Sequence, residues 1–462
     1  MLFNSLPFLY GFLPLTYLVF WRLHGRQARY VWLTATGYVF YAFWNYRFCA
    51  LMATSTLVSY LAGLGLRTWD DRRRRRLCVI VAVTIDLSLL GFFKYASFAA
   101  DTATRLADLF HLPLYLVAPK IVLPVGISFY TFHTISYIVD SYRRTVVPTR
   151  NFFEFSCYVS LFSQLVAGPI VRFRQIEQDL EEIDRHDPRA SWSLGWSFFV
   201  LGMIKKVLIA DTIAVLINPL FADFTTLSTA GAWLALLGYA YQIYFDFSGY
   251  SDMAVGLGHL FGLRIPQNFN SPYRALDIAD FWRRWHISLS TCLRDYLYIP
   301  LGGNRGSRLM TYRNLMITML LGGLWHGANW TFVLWGAYHG ALLSAYRLGG
   351  RAWDRLPAGV RRAGTFALVL IGWVFFRATS FTMAVGLFGR MFAWHPGALP
   401  PGSYLLPVMV GLAAVVAHVG ANSFELRHEW RPALAAGLAL LFALSLVALY
   451  GGPRMPFLYF QF

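Results

Sequence analysis

His326 stands in the run LLGGLWHGANW, flanked by glycines, two tryptophans and Asn329. Residues 315–346 around it contain no Asp, Glu, Lys or Arg, yet they carry both His326 and His339. So apolar a stretch is long enough to cross a bilayer, which takes about 20 residues of helix. An ionisable group inside a membrane segment costs free energy, so it faces a cavity or a partner and marks a functional site. Imidazole is the side chain best suited to move protons near neutral pH. His326 is therefore the first candidate for proton transfer. His339, on the apolar face of the continuing helix, fits a packing role, and His133 in the run YTFH is a lesser intramembrane candidate. Asn329-Trp330-Thr331 has the form of a glycosylation sequon but lies where no glycan can attach.

Two further runs carry residues able to do chemistry. The first is DIADFWRRWHISLSTCLRDYLYIPLGGNR, residues 277–305. It is too polar to span, and its mixture of aromatic and basic groups predicts an amphipathic helix lying in the cytoplasmic interface. Simple anchoring accounts for its tryptophans and arginines, but not for Ser288, Ser290 and Thr291 gathered beside His286. Arg283, Arg284 and Arg294 can clamp phosphate groups, because guanidinium forks match phosphate geometry. The second run is YQIYFDFSGYSDMAVGLGHLFG, residues 241–262, with Asp246 and Asp252 among tyrosines. Asp246 fits either a hydrogen-bonded helix terminus or a substrate contact. Gly258 and Gly262 have the spacing that lets helices approach closely. They make no dinucleotide fingerprint, since no strand precedes them.

The elements that must position these groups follow from composition. The chain is 57% hydrophobic and 14% charged, against about 25% charged residues in an ordinary soluble domain. Long apolar windows recur at residues 1–20, 48–66, 230–245, 402–424 and 432–452. This is an all-α, polytopic membrane protein; a transmembrane barrel would show short alternating segments instead. About eleven spanning helices are expected at roughly 20 residues each, with re-entrant and interfacial pieces. Residues 1–462 read as a single membrane domain, without internal repeats or low-complexity linkers. The N-terminus lacks the basic region and small-residue cleavage site of a secretory signal, so it reads as the first span. The cysteines at 49, 78, 157 and 292 share no close spacing, and neither a metal site nor a disulfide framework follows from them.

A net charge of +17 raises the question of nucleic acid, but the basic residues cluster in short links at 22–29, 67–76, 143–150, 305–313 and 347–362. Short loops rich in Lys and Arg stay in the cytoplasm, so membrane orientation explains the balance. The arginines at 72–76 fix one such loop. Counting back through two spans leaves the N-terminus outside, and counting forward takes residues 77–98 out and 121–139 back in. Residues 152–171 contain Glu154, Gln164 and Gly168-Pro169, which predicts a short or re-entrant element. The charged stretch 172–189 belongs in water. Lys205, Lys206 and Asp211 interrupt residues 192–220, which predicts a helix end near the interface.

With these runs assembled, the chain resembles the membrane-bound O-acyltransferase family, and within it the bacterial alginate O-acetyltransferase group. The resemblance rests on LPVGISFYTF (123–132), LVAGPIVRF (165–173), QIYFDFSGYSDMAVGLG (242–258), FWRRWHISLST with RDYLYIPLGGNRG (281–306) and GGLWHGANWTFVLWG (322–336). It covers about residues 123–340. One departure is His133, where related sequences carry Gln.

What the resemblance implies is concrete. The family's intramembrane histidine falls on His326, and its second histidine on His286. Members take an acyl group from a cytosolic thioester, such as acetyl-CoA, and hand it to a hydroxyl beyond the membrane, in a tunnel within a ring of helices. No bound cofactor is implied. The implied setting is the bacterial inner membrane, among its lipids, with polysaccharide export machinery and a periplasmic acetyltransferase companion as partners. Residue chemistry runs parallel. A hydroxyl attacking a thioester must lose its proton as the bond forms, and a positioned histidine speeds such a step roughly 10²–10⁴-fold. His326 is assigned as that base, and His286 as an aid to positioning donor or acceptor. Arg283, Arg284 and Arg294 would hold the donor's phosphates at a cytoplasmic mouth, and Asn329 or a tyrosine would support the developing oxyanion. Two other classes stay open on the residues alone: a proton-coupled carrier and a scaffold of an export system. Within the enzymes, a D-alanyl transferase acting on teichoic acid is a sibling reading.

Overall fold

The computed structural model describes residues 1–113, 115–166, 168–399, 402–452 and 455–458. Helices make up the regular structure among them, and the chain divides into two compact units, residues 1–192 with 257–266 and residues 193–256 with 267–462. Among the described residues four helices are long and apolar enough to cross a membrane by length and composition: Phe48–Thr68, Arg72–Leu109, Ala358–Arg377 and Pro432–Gly451. Shorter apolar helices, Phe381–Phe392 and Leu405–His418, accompany them.

In the first unit a buried carboxylate ties three helices together. Asp86 accepts hydrogen bonds from Ser55 Oγ (2.6 Å), Ser59 Oγ (3.3 Å) and Thr134 Oγ1 (2.8 Å), so Arg72–Leu90, Phe48–Thr68 and Ile127–Tyr142 share one polar node. Satisfying such a group is what makes its burial tolerable. Arg75 supplies a second tie. Its guanidinium donates to the carbonyls of Leu66, Trp69, Ser141 and Tyr142, so an arginine in the first turn of one helix caps the ends of two neighbouring helices.

Several sequence expectations change here. The helix expected at 77–98 continues to Leu109, and the one expected at 121–139 starts only at Ile127. Gly126 precedes it with φ +77°, a left-handed position where a Cβ would also collide with the Leu165 carbonyl. The element at 152–171 is broken as expected, but about two turns earlier than Gly168-Pro169: Phe152–Ser160 ends at Leu161, and Phe162–Leu165 follows. The charged stretch 172–189 is more than a solvated loop. Helix Phe173–Glu181 buries Phe173, Ile176 and Leu180 on one face, and its Asp179 receives the Arg264 backbone N–H (2.8 Å) and Nε (2.7 Å).

In the second unit no helix end separates Lys205, Lys206 and Asp211. Helical structure runs from Trp192 to Ala222, with a wider turn at Ile204–Asp211. The charges are neutralised inside the protein instead. Lys206, 1% exposed, pairs with Asp211 at 2.8 Å and with Asp246, while Lys205 meets Asp252 at 2.6 Å. Opposite charges brought together from distant segments remove the cost that a lone buried ion would carry. The long helix Thr229–Leu260 that bears Asp246 and Asp252 packs backbone to backbone on Trp192–Met203, with Gly249 against Gly202 and Gly256 against Gly195. Gly258 and Gly262 play a different part from the expected helix contact. Gly258 lies in the last turn over Ile265, and Gly262, at φ +78°, ends the helix.

The stretch 315–346 is a helical hairpin and not one crossing. Arg308–His326 stops at Gly327, and Trp330–Asp354 begins at Asn329, whose side chain accepts the Thr331 N–H at 3.0 Å. The two helices run antiparallel in close contact, because Gly323 faces the Phe332 carbonyl and Gly336 faces that of Met319. His326 therefore sits at the hairpin's turn.

Candidate active site

His326 ends the first helix of this hairpin and is 5% exposed. Aromatic rings surround its imidazole: Trp325 at 5.0 Å, Trp335 at 5.1 Å and Phe376 at 5.2 Å between centroids. One side opens on a cavity of about 220 Å³, lined along the same helix by Leu315, Thr318, Met319 and Gly322. From Leu315 to His326 the helix rises about 16 Å. Leu293 and Trp282 add apolar wall, while Arg294 and Tyr298 supply polar groups. The cavity is thus a slender, mostly apolar slot with a histidine and a guanidinium on its walls.

His286 is brought near His326, with ring centroids 6.4 Å apart, although it does not line the slot. The expected amphipathic helix is in fact two short ones, Ile278–Arg284 and Ile287–Leu293, joined at His286. His286 is fully buried and takes φ +44°, ψ +55°. A left-handed conformation in a residue with a Cβ costs on the order of 1–3 kcal/mol and persists only where its surroundings impose it. They do so here. Asn268 lies 3.2 Å from His286 Nδ1 through its Oδ1, and its backbone carbonyl accepts the Ile287 N–H at 2.9 Å. Phe247 stands edge-on to the imidazole at 4.6 Å. The aromatic residues expected to anchor this segment in lipid turn inward. Phe281 and Trp285 are each 1% exposed, and Trp285 meets Trp373 at 5.0 Å.

The three arginines separate. Arg294 lines the slot, with its guanidinium paired to Asp295 at 2.7 and 3.2 Å and more than half exposed. Arg284 is held by Asp280 (2.9 Å) and the Asn270 carbonyl (3.3 Å), which ties down the start of the segment. Arg283 projects outward, 3.8 Å from the same Asp280.

Residues 143–385 match the membrane-bound O-acyltransferase family. The chain belongs to that family. It is an O-acyltransferase, and the sequence resemblance to the alginate O-acetylase group holds across nearly its whole length. It is 41% identical over 496 residues to "Probable alginate O-acetylase AlgI" of Pseudomonas putida, covering all of both chains. It is 46% identical over 404 residues to the protein of that name in Pseudomonas aeruginosa, covering 85% of this chain and 75% of the relative. "Peptidoglycan O-acetyltransferase" of Helicobacter pylori is 37% identical over 420 residues, covering 83% and 78%.

Three residues singled out in this O-acyltransferase lie apart from the slot. Asp246 sits in mid-helix rather than at a helix terminus, paired with Lys206 and accepting the Leu458 backbone N–H at 2.8 Å. Asn329 caps its helix and donates to the Thr379 carbonyl at 3.0 Å, so both ends of its amide are engaged in structure. His133 belongs to the other unit, fully buried beside Tyr158. Sequence reasoning missed Asn268, Thr318, Tyr298 and Trp335. The asparagine-rich loop QNFNSP just before the His286 run was a usable signal for the first. The slot residues had none, since only the hairpin's packing turns them inward.

Proposed function

We propose that this O-acyltransferase transfers an acetyl group from acetyl-CoA to a hydroxyl of an exported polysaccharide of the alginate class. The observation that carries the mechanism is the slot itself, which has His326 and Arg294 on mostly apolar walls. A thioester arm is slender and uncharged, while the nucleotide end of a CoA is polyanionic. Arg294 holds that end at the mouth, and the acyl carbonyl reaches His326. The acceptor oxygen attacks the carbonyl carbon as His326 takes the hydroxyl proton. The tetrahedral intermediate then expels the CoA sulfur, which receives the proton back from His326. The products are the O-acetyl ester and free CoA. His286 orients the acceptor from beside His326. Asn329 is already engaged in capping and the Thr318 hydroxyl donates to the Asn314 carbonyl at 2.7 Å, so Tyr298 is the better-placed donor for the oxyanion.

In this reading roughly eleven helical crossings surround a tunnel that continues the slot. Residues 67–76 face the cytoplasm, the N-terminus faces the periplasm of a bacterial inner membrane, and a periplasmic acetyltransferase-like companion and the export machinery receive the acetyl group. The alginate relatives and the basic loops support this assignment.

The test is purified protein in nanodiscs with acetyl-labelled CoA and oligomannuronate. Label should appear as an alkali-labile ester on the sugar. Label that stays on CoA with oligomannuronate but moves to peptidoglycan fragments would reassign the acceptor. Transport of intact acetyl-CoA without ester formation would overturn the enzymatic reading. Cysteines placed at 67–76 should react only with reagent applied from the cytoplasmic side, and periplasmic labelling would reverse the orientation.

A further inference from the structure

The loop before the His286 segment fixes the proton on one particular ring nitrogen. Asn268 is 1% exposed, and its side-chain oxygen meets three groups at once. The Ser288 backbone N–H donates to its Oδ1 at 3.2 Å, Ser288 Oγ lies 2.8 Å from the same atom, and His286 Nδ1 lies at 3.2 Å. A backbone N–H can only donate, so the atom it meets must be the amide oxygen and not the NH₂ group. The NH₂ group points the other way, to Ser251 Oγ at 3.2 Å. This settles the orientation of the amide without reference to the histidine.

The consequence for His286 follows directly. An oxygen acceptor 3.2 Å from Nδ1 is attractive only if Nδ1 carries a hydrogen. Ser288 Oγ, 3.4 Å from Nδ1, cannot supply one in its place, because its single proton serves the shorter contact to Asn268. The left-handed backbone at His286 and the Ile287 N–H bond to the Asn268 carbonyl keep the ring in that position.

We infer that Asn268 is a positioning residue that holds His286 in the Nδ1–H tautomer, so that its lone pair lies on Nε2. The inference rests on the acyltransferase reading of this site and deepens it. In this state Nε2 accepts a hydrogen bond and does not donate one. His286 therefore acts on an acceptor hydroxyl, or on an N–H of neighbouring His326, and not as a donor to the oxyanion. When Nε2 receives a proton, the Asn268 oxygen continues to accept from Nδ1 and steadies the cation.

The direct test needs only the intact protein. Histidine-¹⁵N-labelled enzyme in nanodiscs is examined by solid-state NMR, with His286→Gln identifying the signals of this residue. A neutral ring protonated at Nδ1 and bare at Nε2 is expected, and a ring protonated at Nε2 and bare at Nδ1 would overturn the inference. Asn268→Ala should release the ring to the other tautomer and slow acetyl transfer by about 10²-fold or more, since a wrong tautomer is very costly where imidazole must accept a proton. Apparent KM for acetyl-CoA should change less than about threefold. Ser288→Ala, which keeps the backbone donor, should retain the tautomer. An Asn268→Ala enzyme with unchanged ring protonation and rate would remove Asn268 from the account. If the tautomer is as inferred but His286→Gln transfers acetyl at the parent rate, the tautomer claim stands and the proposed role of His286 fails.

Discussion

Two histidines on the same hairpin, His326 and His339, share a neighbour and have opposite surroundings. Trp335 lies 5.1 Å from the first ring and 4.8 Å from the second, so one indole separates them. His326 borders the slot, whose walls also carry Arg294 and Tyr298. His339 is completely buried among Phe281, Trp282, Trp335 and Tyr338, outside the slot. Neither of its ring nitrogens has a hydrogen-bond partner among the described residues. Both residues are buried histidines in an uncharged stretch. Access to a cavity, rather than burial, separates a group that can exchange a proton with substrate from one that fills space.

The difference can be broken deliberately. The largest effect is expected at His326, where removal of the imidazole should cut acetyl transfer by roughly 10²–10⁴-fold, with the protein still inserted and folded. Quantifying polymer-bound acetate against protein level checks this. Next comes the hairpin that carries both histidines. In Gly336→Ala the new Cβ would press on the Met319 carbonyl, and such overpacking costs about 1–3 kcal/mol. Thermal unfolding in detergent should show a lower Tm, with activity falling because the slot residues on both helices shift together.

Arg294→Glu should act on binding alone, raising apparent KM for acetyl-CoA about tenfold with kcat nearly kept, as expected for a contact made equally in ground and transition states. Arg283→Glu makes the contrast, because this side chain projects outward from the slot wall, so its KM should move far less. The smallest effect is expected at His339. Replacement by Phe keeps the ring stack, removes two buried polar atoms and should leave the transfer rate within about threefold, with stability unchanged or raised by up to about 1 kcal/mol. Steady-state kinetics and a melting curve on the same preparation read both.

What the sequence disclosed follows the range of the interactions involved. The WHG and RWHISLS runs stood out because each gathers polar groups in adjacent residues, and the fold brings their histidines within 6.4 Å of each other, with His326 and not His339 lining the slot. The hairpin turn was hidden, since an uncharged stretch reads the same as one span or two helices. Only Gly327 and the Asn329 cap mark the break. Lys206 read as an interruption near a helix end, and Asp246 as either a helix terminus or a substrate contact, because neither announces the other across the intervening chain. Asn268 stood in a visible asparagine-rich loop, but its partner was hidden for the same reason: the contact depends on the left-handed turn at His286. Arg284 resembled Arg294 in sequence, yet the fold gives Asp280 to one and the slot to the other.

The most direct test of the central claim is a single-turnover measurement on His326→Gln, in nanodiscs saturated with acetyl-labelled CoA and mixed with an excess of oligomannuronate. Donor affinity is measured on the same sample, so that binding and chemistry are read separately. If His326 is the base, donor affinity stays within about threefold of the parent and ester formation slows by at least about 10²-fold. Ester formation at the parent rate would contradict that role, because His326 would then have no part in taking the hydroxyl proton.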